Sequence, residues 1–245
     1  MNIIELANKV AKVPGLKKIL KPFYYRYKKI LENKRMKKFR ENGVKVVDDF
    51  DRALTNAGYP YFLVFGSMLG AVREHGFIKH DLDFDVAMWY DDVDDNFIPI
   101  LEKAGFRLAH SFEVDAGRSG REWTFKKDGV GIDIFFVYAS IRKHPYCCEF
   151  PHNYEETGCV SWNQLVKKYG GVPTRRIELP FNKGIIRTPF ESLHLPILQN
   201  SHEILKIYYG KDYMTPIAHW TEDDGDSFEH LVDWKDKLAT YKEFL

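Results

Sequence analysis

A chain of 245 residues, 44% of them hydrophobic and 15% aromatic, can bury one sizeable core and is too apolar to be disordered. Its formal net charge of +1 conceals a segregation: residues 1–40 carry thirteen Lys and Arg against Glu5 and Glu32, a net of +11, which leaves −10 for the rest. No apolar run reaches about 18 residues and no apolar stretch near the start leads to a small-residue cleavage site, so neither a membrane span nor a secretory signal is expected. Cys147, Cys148 and Cys159 do not form an even disulfide framework, and the adjacent pair cannot readily bridge. A reducing, cytoplasmic setting is the expectation.

In chain order, Met1 to Val13 has apolar residues at helical spacing up to Pro14-Gly15, and Leu16 to Arg40 interleaves basic residues with Ile19, Leu20, Phe23, Tyr24, Tyr25, Tyr27, Ile30 and Leu31. Basic faces with aliphatic and aromatic opposites suit an anionic bilayer, where each nearby Lys or Arg contributes about 1 kcal/mol. Residues 1–42 are therefore read as a basic helical extension that lies peripherally on the inner face of the cell membrane. The competing readings are a solvated helix packed on the domain and, less well supported, a nucleic-acid contact. Gly43 to Asn56 reads as a separate amphipathic helix that opens a domain running to residue 216.

Tyr61 to Phe65 is a strand-length apolar run that stops at Gly66-Ser67, where small residues let backbone amides face a ligand. Met68 to Glu74 reads as a short helix, which places those amides at a helix N-terminus, a favourable position for an anion, with Arg73 near the same corner. Beyond Gly76 the pattern alternates, with Asp81, Asp83 and Asp85 on one face and Leu82, Phe84 and Val86 on the other. Two carboxylates about 4 Å apart repel by roughly 4 kcal/mol at an effective dielectric of about 20. A hard divalent cation with oxygen ligands is the usual compensation. Asp133, a lone charge inside the strand-like Gly131 to Val137, is expected to converge on the same face rather than be buried unpaired.

Alternative readings of this cluster are weaker. A calcium loop of the EF-hand type needs glycine at its sixth position, which here is Val86. The polar face of an edge strand explains the alternation but not the Gly-Ser turn, Arg73 or Asp133. Gly66 to Gly70 is neither a Walker loop nor a dinucleotide fingerprint.

The acidic run Asp91, Asp92, Asp94 and Asp95 reads as a solvated helix start continuing through Phe97 to Ala104. Phe106 to Glu113, Arg121 to Lys126 and Val130 to Tyr138 read as strands, the last two joined by the hairpin signal Lys127-Asp128-Gly129. His144, Cys147, Cys148, His152 and Cys159 crowd one stretch but match no standard zinc spacing, and a loop with buried thiols is preferred over a structural zinc. Ser161 to Tyr169 reads as a helix, Ile177 to Phe181 and Gly184 to Thr188 as strands flanked by Arg175, Arg176, Lys183 and Arg187, and Asn200 to Tyr209 as a helix. The tail, 217–245, reads as acidic and then helical.

The run from Gly66 through Ser67, Met68, Leu69, Gly70, Ala71, Val72 and Arg73 to Gly76, Phe77, Ile78, Asp81, Asp83, Asp85 and Val86 resembles the LicD family of phosphocholine-type transferases, which includes the fukutin-related proteins and sits in the nucleotidyltransferase-fold superfamily. Pro196 to Asn200 and Tyr208 to Pro216 are similar to that family's closing segment. The resemblance implies an α/β fold of the α+β kind, with a mixed sheet flanked by helices. It implies Mg2+, with Mn2+ as a substitute, held by Asp83 and Asp85, with Asp133 as third ligand or base and Gly66, Ser67 and Arg73 on phosphate. It further implies transfer of a phospho-alcohol or phosphonate from a CDP- or CMP-activated donor to a sugar hydroxyl of a glycan or lipid-linked glycan precursor, releasing CMP. A nucleotidyltransferase that consumes a nucleoside triphosphate and releases pyrophosphate is the rival, followed by a non-catalytic binder on the same fold.

Overall fold

The computed structural model describes residues 16–79, 81–140, 144–150, 159, 161–216 and 231–245. The helix expected over Met1 to Val13 lies outside them. One helix, α1 (Leu16–Ala57), replaces the two expected on either side of residues 41–42. It runs through Gly43 because the Phe77 ring packs against that position, 3.2 Å from where a β-carbon would stand. At about 1.5 Å per residue it is roughly 60 Å long. Its second half is anchored: Phe39, Val46, Val47, Phe50 and Leu54, at helical spacing, are buried, and full burial of a large apolar side chain stabilises by about 1.5–3 kcal/mol.

The sheet has eight strands: β1 (Phe62–Leu63), β2 (Asp83–Trp89), β3 (Arg107–Val114), β4 (Gly120–Lys127), β5 (Val130–Val137), β6 (Tyr146–Glu149), β7 (Val172–Glu178) and, from the tail, β10 (Leu231–Glu243). Their order is β1-β2-β5-β4-β3-β10-β7-β6. β2 and β5 are parallel, and the other pairs are antiparallel, so the sheet is mixed as expected. A separate hairpin of β8 (Ile185–Phe190) and β9 (Leu193–Leu198) packs beside β1. Among the described residues four short helices join them: α2 (Phe65–Arg73), α3 (Phe97–Lys103), α4 (Trp162–Tyr169) and α5 (Ser201–Tyr209).

Two further readings of the sequence are corrected. The tail is not helical over 231–243 but forms β10, hydrogen-bonded to β3 on one side and β7 on the other, so tertiary pairing overrides its mixed local propensity. Tyr146 to Glu149, read as part of a thiol-bearing loop, is the edge strand β6. Its alternation sends Cys147 into the main core and Cys148 into a second cluster with Phe112, Phe150 and Cys159, so the adjacent thiols cannot share one ion. His152 lies outside the described residues.

Alternation also gives the sheet two unlike faces. Phe84, Val86 and Met88 of β2, Ile132, Ile134 and Phe136 of β5, and Phe125 of β4 are buried in the main core, which also takes in the apolar stripe of α1 and Phe97 and Leu101 of α3. The opposite face carries Asp83, Asp85, Asp133, Glu122 and Thr124. It is covered at one end by α2 and α5, through Phe65 against Phe135 (4.9 Å) and Tyr208 (5.0 Å), and at the other by α4, through Trp162 against Phe112 (5.2 Å).

The β4–β5 turn is tied to α1. Asp128 and Gly129 both take positive φ (50° and 82°), which suits a tight hairpin. Asn42 donates to the Asp128 carbonyl (2.9 Å), and Lys127 donates to Asp49 and to the Ala104 carbonyl, both at 2.7 Å. Burial pushes the Asp49 carboxyl up, but Lys127 and Arg52 outweigh it and hold the group below its ordinary range.

At the end of α2 the chain doubles back over Gly70, whose carbonyl accepts from Glu74 and Gly76. A β-carbon at Gly70 would stand 2.4 Å from the Gly76 carbonyl oxygen, whereas one at Gly131 would meet nothing within 4 Å. Gly70→Ala should therefore cost about 2 kcal/mol, while Gly131→Ala should stay within about 0.5 kcal/mol of wild type, as read from urea midpoints.

Candidate active site

The site begins with a sharp turn. The Val64 N–H donates to the Asp85 carbonyl (3.2 Å), and Phe65 then takes φ 44°, a conformation a bulky residue adopts only when its surroundings fix it. Here the fixing comes from the Phe135 and Tyr208 rings. Gly66 and Ser67 follow in the first turn of α2, where amides have no partner within the helix. The Ser67 hydroxyl accepts from the Asp85 N–H (2.8 Å), so it locks turn to strand, and its own proton can still be donated outward. A β-carbon on Gly66 would stand 3.6 Å from Asp85 Oδ2 and 3.8 Å from both Asp81 carboxylate oxygens. Glycine thus leaves open the space that faces both carboxylates.

The acidic residues converge through register. In the parallel β2–β5 ladder Asp85 stands opposite Asp133, and Asp83 opposite Gly131. Thr124 of β4 stands opposite Asp133, and Glu122, two residues earlier on the same face, opposite Phe135. Each carboxyl feels the others. Burial raises Asp85 well above the carboxylate range, and Asp83, Asp133, Asp81 and Glu122 add to it. Burial and then Asp83 raise Asp81 to about 6. The same two causes raise Asp133 to about 6 against the hydrogen bond from Thr124 and the positive charges of Arg35 and Lys126. Glu122 is raised well above its range by burial, then by Asp133, Glu149 and Asp83.

Arg73 sits in the last turn of α2, a helix length from Gly66. Its guanidinium binds Glu74 (2.8 Å) and the Tyr213 carbonyl (3.2 Å), and its charge lowers Asp81. Sequence reasoning missed Glu122, Thr124 and His110. The alternation of Glu122 and Thr124 with Trp123 and Phe125 signalled a two-faced strand, but only the register shows which face meets Asp133.

Among the described residues no three His, Cys, Asp or Glu side chains are grouped so that together they could hold a metal ion. A magnesium ion does not require three, because it commonly takes one or two protein carboxylates plus substrate phosphates and water. The donor chemistry here fits that pattern: hard oxygens, mutually repelling, with no side chain at Gly66 to press against them.

A model of the LicD/FKTN/FKRP family, nucleotidyltransferase domain, matches residues 58–197, which include Asp81, Asp83, Asp85, Glu122 and Asp133. The Ribitol-5-phosphate transferase FKTN of Macaca fascicularis is 25% identical over 184 residues, covering 74% of this chain and 35% of that protein. The human protein of the same name is 24% identical with the same coverage. Uncharacterized protein RP689 of Rickettsia prowazekii (strain Madrid E) is 25% identical over 209 residues, covering 76% of this chain and 74% of that protein. The chain thus spans about a third of the length of the two transferases.

Raised carboxyls bind more protons folded than unfolded, so their contribution to stability is greatest below about pH 4 and falls as pH rises through about 6 and beyond. Asp49, Asp94 and Asp115, shifted the other way, stabilise fully above about pH 4 and lose that contribution only as pH falls below it. In EDTA the protein should melt on the order of 5 °C lower at pH 7.5 than at pH 5.5, with Mg2+ narrowing the gap. Scanning calorimetry at the two pH values checks this, and a melting temperature that climbs with pH would contradict the picture of mutual repulsion.

Proposed function

The chain belongs to the LicD family, and on that footing we propose that it transfers a phosphorus-containing group, a phospho-alcohol or a phosphonate, from a CDP- or CMP-activated donor to a sugar hydroxyl of a glycan precursor. Ribitol phosphate, which the name of the two transferase relatives specifies, joins phosphocholine among the candidate groups. The observation that carries the proposal is the register of Asp85 against Asp133 with Asp83 alongside, beneath the Gly66-Ser67 turn.

In this reading Asp83 and Asp85 would hold Mg2+ or Mn2+. When bound there, the ion neutralises charge on the phosphate oxygens and on the departing group. The Gly66 amide and the Ser67 hydroxyl donate to the phosphate that leaves with CMP, and Arg73 sets the field at the mouth beside Asp81. Asp133 takes the proton of the attacking sugar hydroxyl as the new O–P bond forms and the bond to CMP breaks in line with it. Phe65 and the helices at either end of the groove confine the reacting groups, so positioning supplies much of the rate.

No helix among the described residues is long and apolar enough to cross a membrane. Between residues 26 and 37, α1 carries exposed Arg26, Lys29, Lys34, Arg35 and Lys37 beside Ile30 (45% exposed) and Leu31 (37% exposed). That combination supports a peripheral contact with an anionic bilayer carrying a lipid-linked acceptor. The full chain with Lys29→Glu, Lys34→Glu and Lys37→Glu should sediment with phosphatidylserine vesicles at least about tenfold more weakly than wild type, since each charge contributes about 1 kcal/mol. Equal sedimentation would remove the membrane from the proposal.

The activity itself is tested by incubating the protein and Mg2+ with CDP-choline, CDP-ethanolamine, CDP-glycerol, CDP-ribitol and CMP-aminoethylphosphonate and measuring CMP. Asp83→Asn and Asp85→Asn should each lower turnover at least about a thousandfold while folding normally. Full activity in either variant would overturn the assignment, and pyrophosphate release from a nucleoside triphosphate would favour the nucleotidyltransferase reading.

A further inference from the structure

The register that gathers the carboxylates continues past them. Asp85, Asp133, Thr124 and His110 stand opposite one another on the adjacent strands β2, β5, β4 and β3. The contacts between the last three are direct: Thr124 Oγ1 donates to Asp133 Oδ1 (2.5 Å) and lies 2.8 Å from His110 Nε2. A threonine hydroxyl has one proton, and an ionised carboxylate can only accept. Thr124 therefore gives its proton to Asp133 and accepts from His110, which must carry hydrogen on Nε2. The imidazole is oriented by rings on three sides: Phe112 at 5.4 Å, Trp162 at 4.9 Å and Tyr241 at 5.9 Å. A valine would fill the same β-branched volume at position 124 in a strand, so shape alone does not call for the hydroxyl.

We propose that His110 and Thr124 are positioning residues that fix the Asp133 carboxylate by its Oδ1, leaving Oδ2 to receive the acceptor's proton. The inference rests on the transferase reading. In the step it serves, the acceptor O–H bond breaks and its proton passes to Asp133 Oδ2. The freed electron pair forms the new O–P bond, and CMP departs with the pair of the O–P bond that breaks. Without the relay a carboxylate at this position can rotate, and its two oxygens become equivalent partners for the neighbouring Lys126 and Arg35 charges as well as for the substrate. A fixed base holds one oxygen in line with the attacking hydroxyl.

The test uses the full chain with Thr124→Val, Thr124→Ser, His110→Ala and His110→Gln. Turnover is measured by CMP release with whichever donor the screen identifies, and imidazole tautomers by 15N NMR of the Mg2+-free protein. Thr124→Val should lower kcat at least about tenfold with the donor KM within about twofold, because the loss falls on proton transfer rather than binding. Thr124→Ser should recover to within about threefold of wild type, and His110→Gln, whose amide can still donate, should exceed His110→Ala. In wild type, His110 should carry its proton on Nε2, and its signal should shift in Thr124→Val. Unchanged kcat in Thr124→Val, no rescue by serine, or a His110 protonated on Nδ1 alone would overturn the relay. Should Thr124→Val not fold, the serine and glutamine variants decide. If wild type releases no CMP from any donor, the transferase reading falls, and the catalytic half of this proposal with it. The tautomer measurement then decides separately whether the hydrogen-bond chain exists.

Discussion

Like charges are brought together here by backbone pairing. Two parallel strands, β2 and β5, place Asp85 directly opposite Asp133, and alternation adds Asp83 from one strand, while the neighbouring β4 adds Glu122. Much of the surrounding structure can be understood as what holds this arrangement against its own repulsion. The apolar side chains on the far face of these strands are fully buried, so the strands cannot slip by one residue without turning phenylalanine and isoleucine out to solvent. The Ser67 hydroxyl pins the Asp85 amide, and the β4–β5 turn is fastened to α1 through Asn42 and the Asp49–Lys127 pair. A site under this kind of strain destabilises its own scaffold and is offset by the core behind it.

How much of this was legible in the sequence depended on distance along the chain. The alternation from Asp81 to Val86 is a local signal with period two, and it indicated the strand and the face of Asp83 and Asp85, although Asp81 lies just ahead of β2. Asp133 was legible for a different reason: a single charge within an apolar run must find a polar setting. Glu122, Thr124 and His110 were not, because which residues meet across β3, β4 and β5 depends on a register that includes a shift between Leu108 and His110. Helix α1 was split in the reading because Gly43 resembles a start, yet in the fold that glycine admits the Phe77 ring. The tail failed for the plainest reason, since a segment that takes its conformation from two distant strand edges carries little of that information itself.

The segregated charge also acquires a geometry. The basic half of α1 is a lever extending from the anchored residues near Phe39 to Leu54, and Arg35, at its root, already lowers the Asp133 carboxyl. The positive segment and the acidic groove are thus electrostatically adjacent although they are far apart in sequence.

The placement of β10 carries one more consequence. It sits in the interior of the sheet, yet it comes from the far end of the chain, and one of its contacts, Tyr241, packs against the His110 ring. On either side it closes an edge, that of β3 and that of β7, which unpaired would be open to strands of other chains. One strand therefore both seals the sheet and seats a ring that orients His110, so a change in its pairing reaches the carboxylate face through Tyr241.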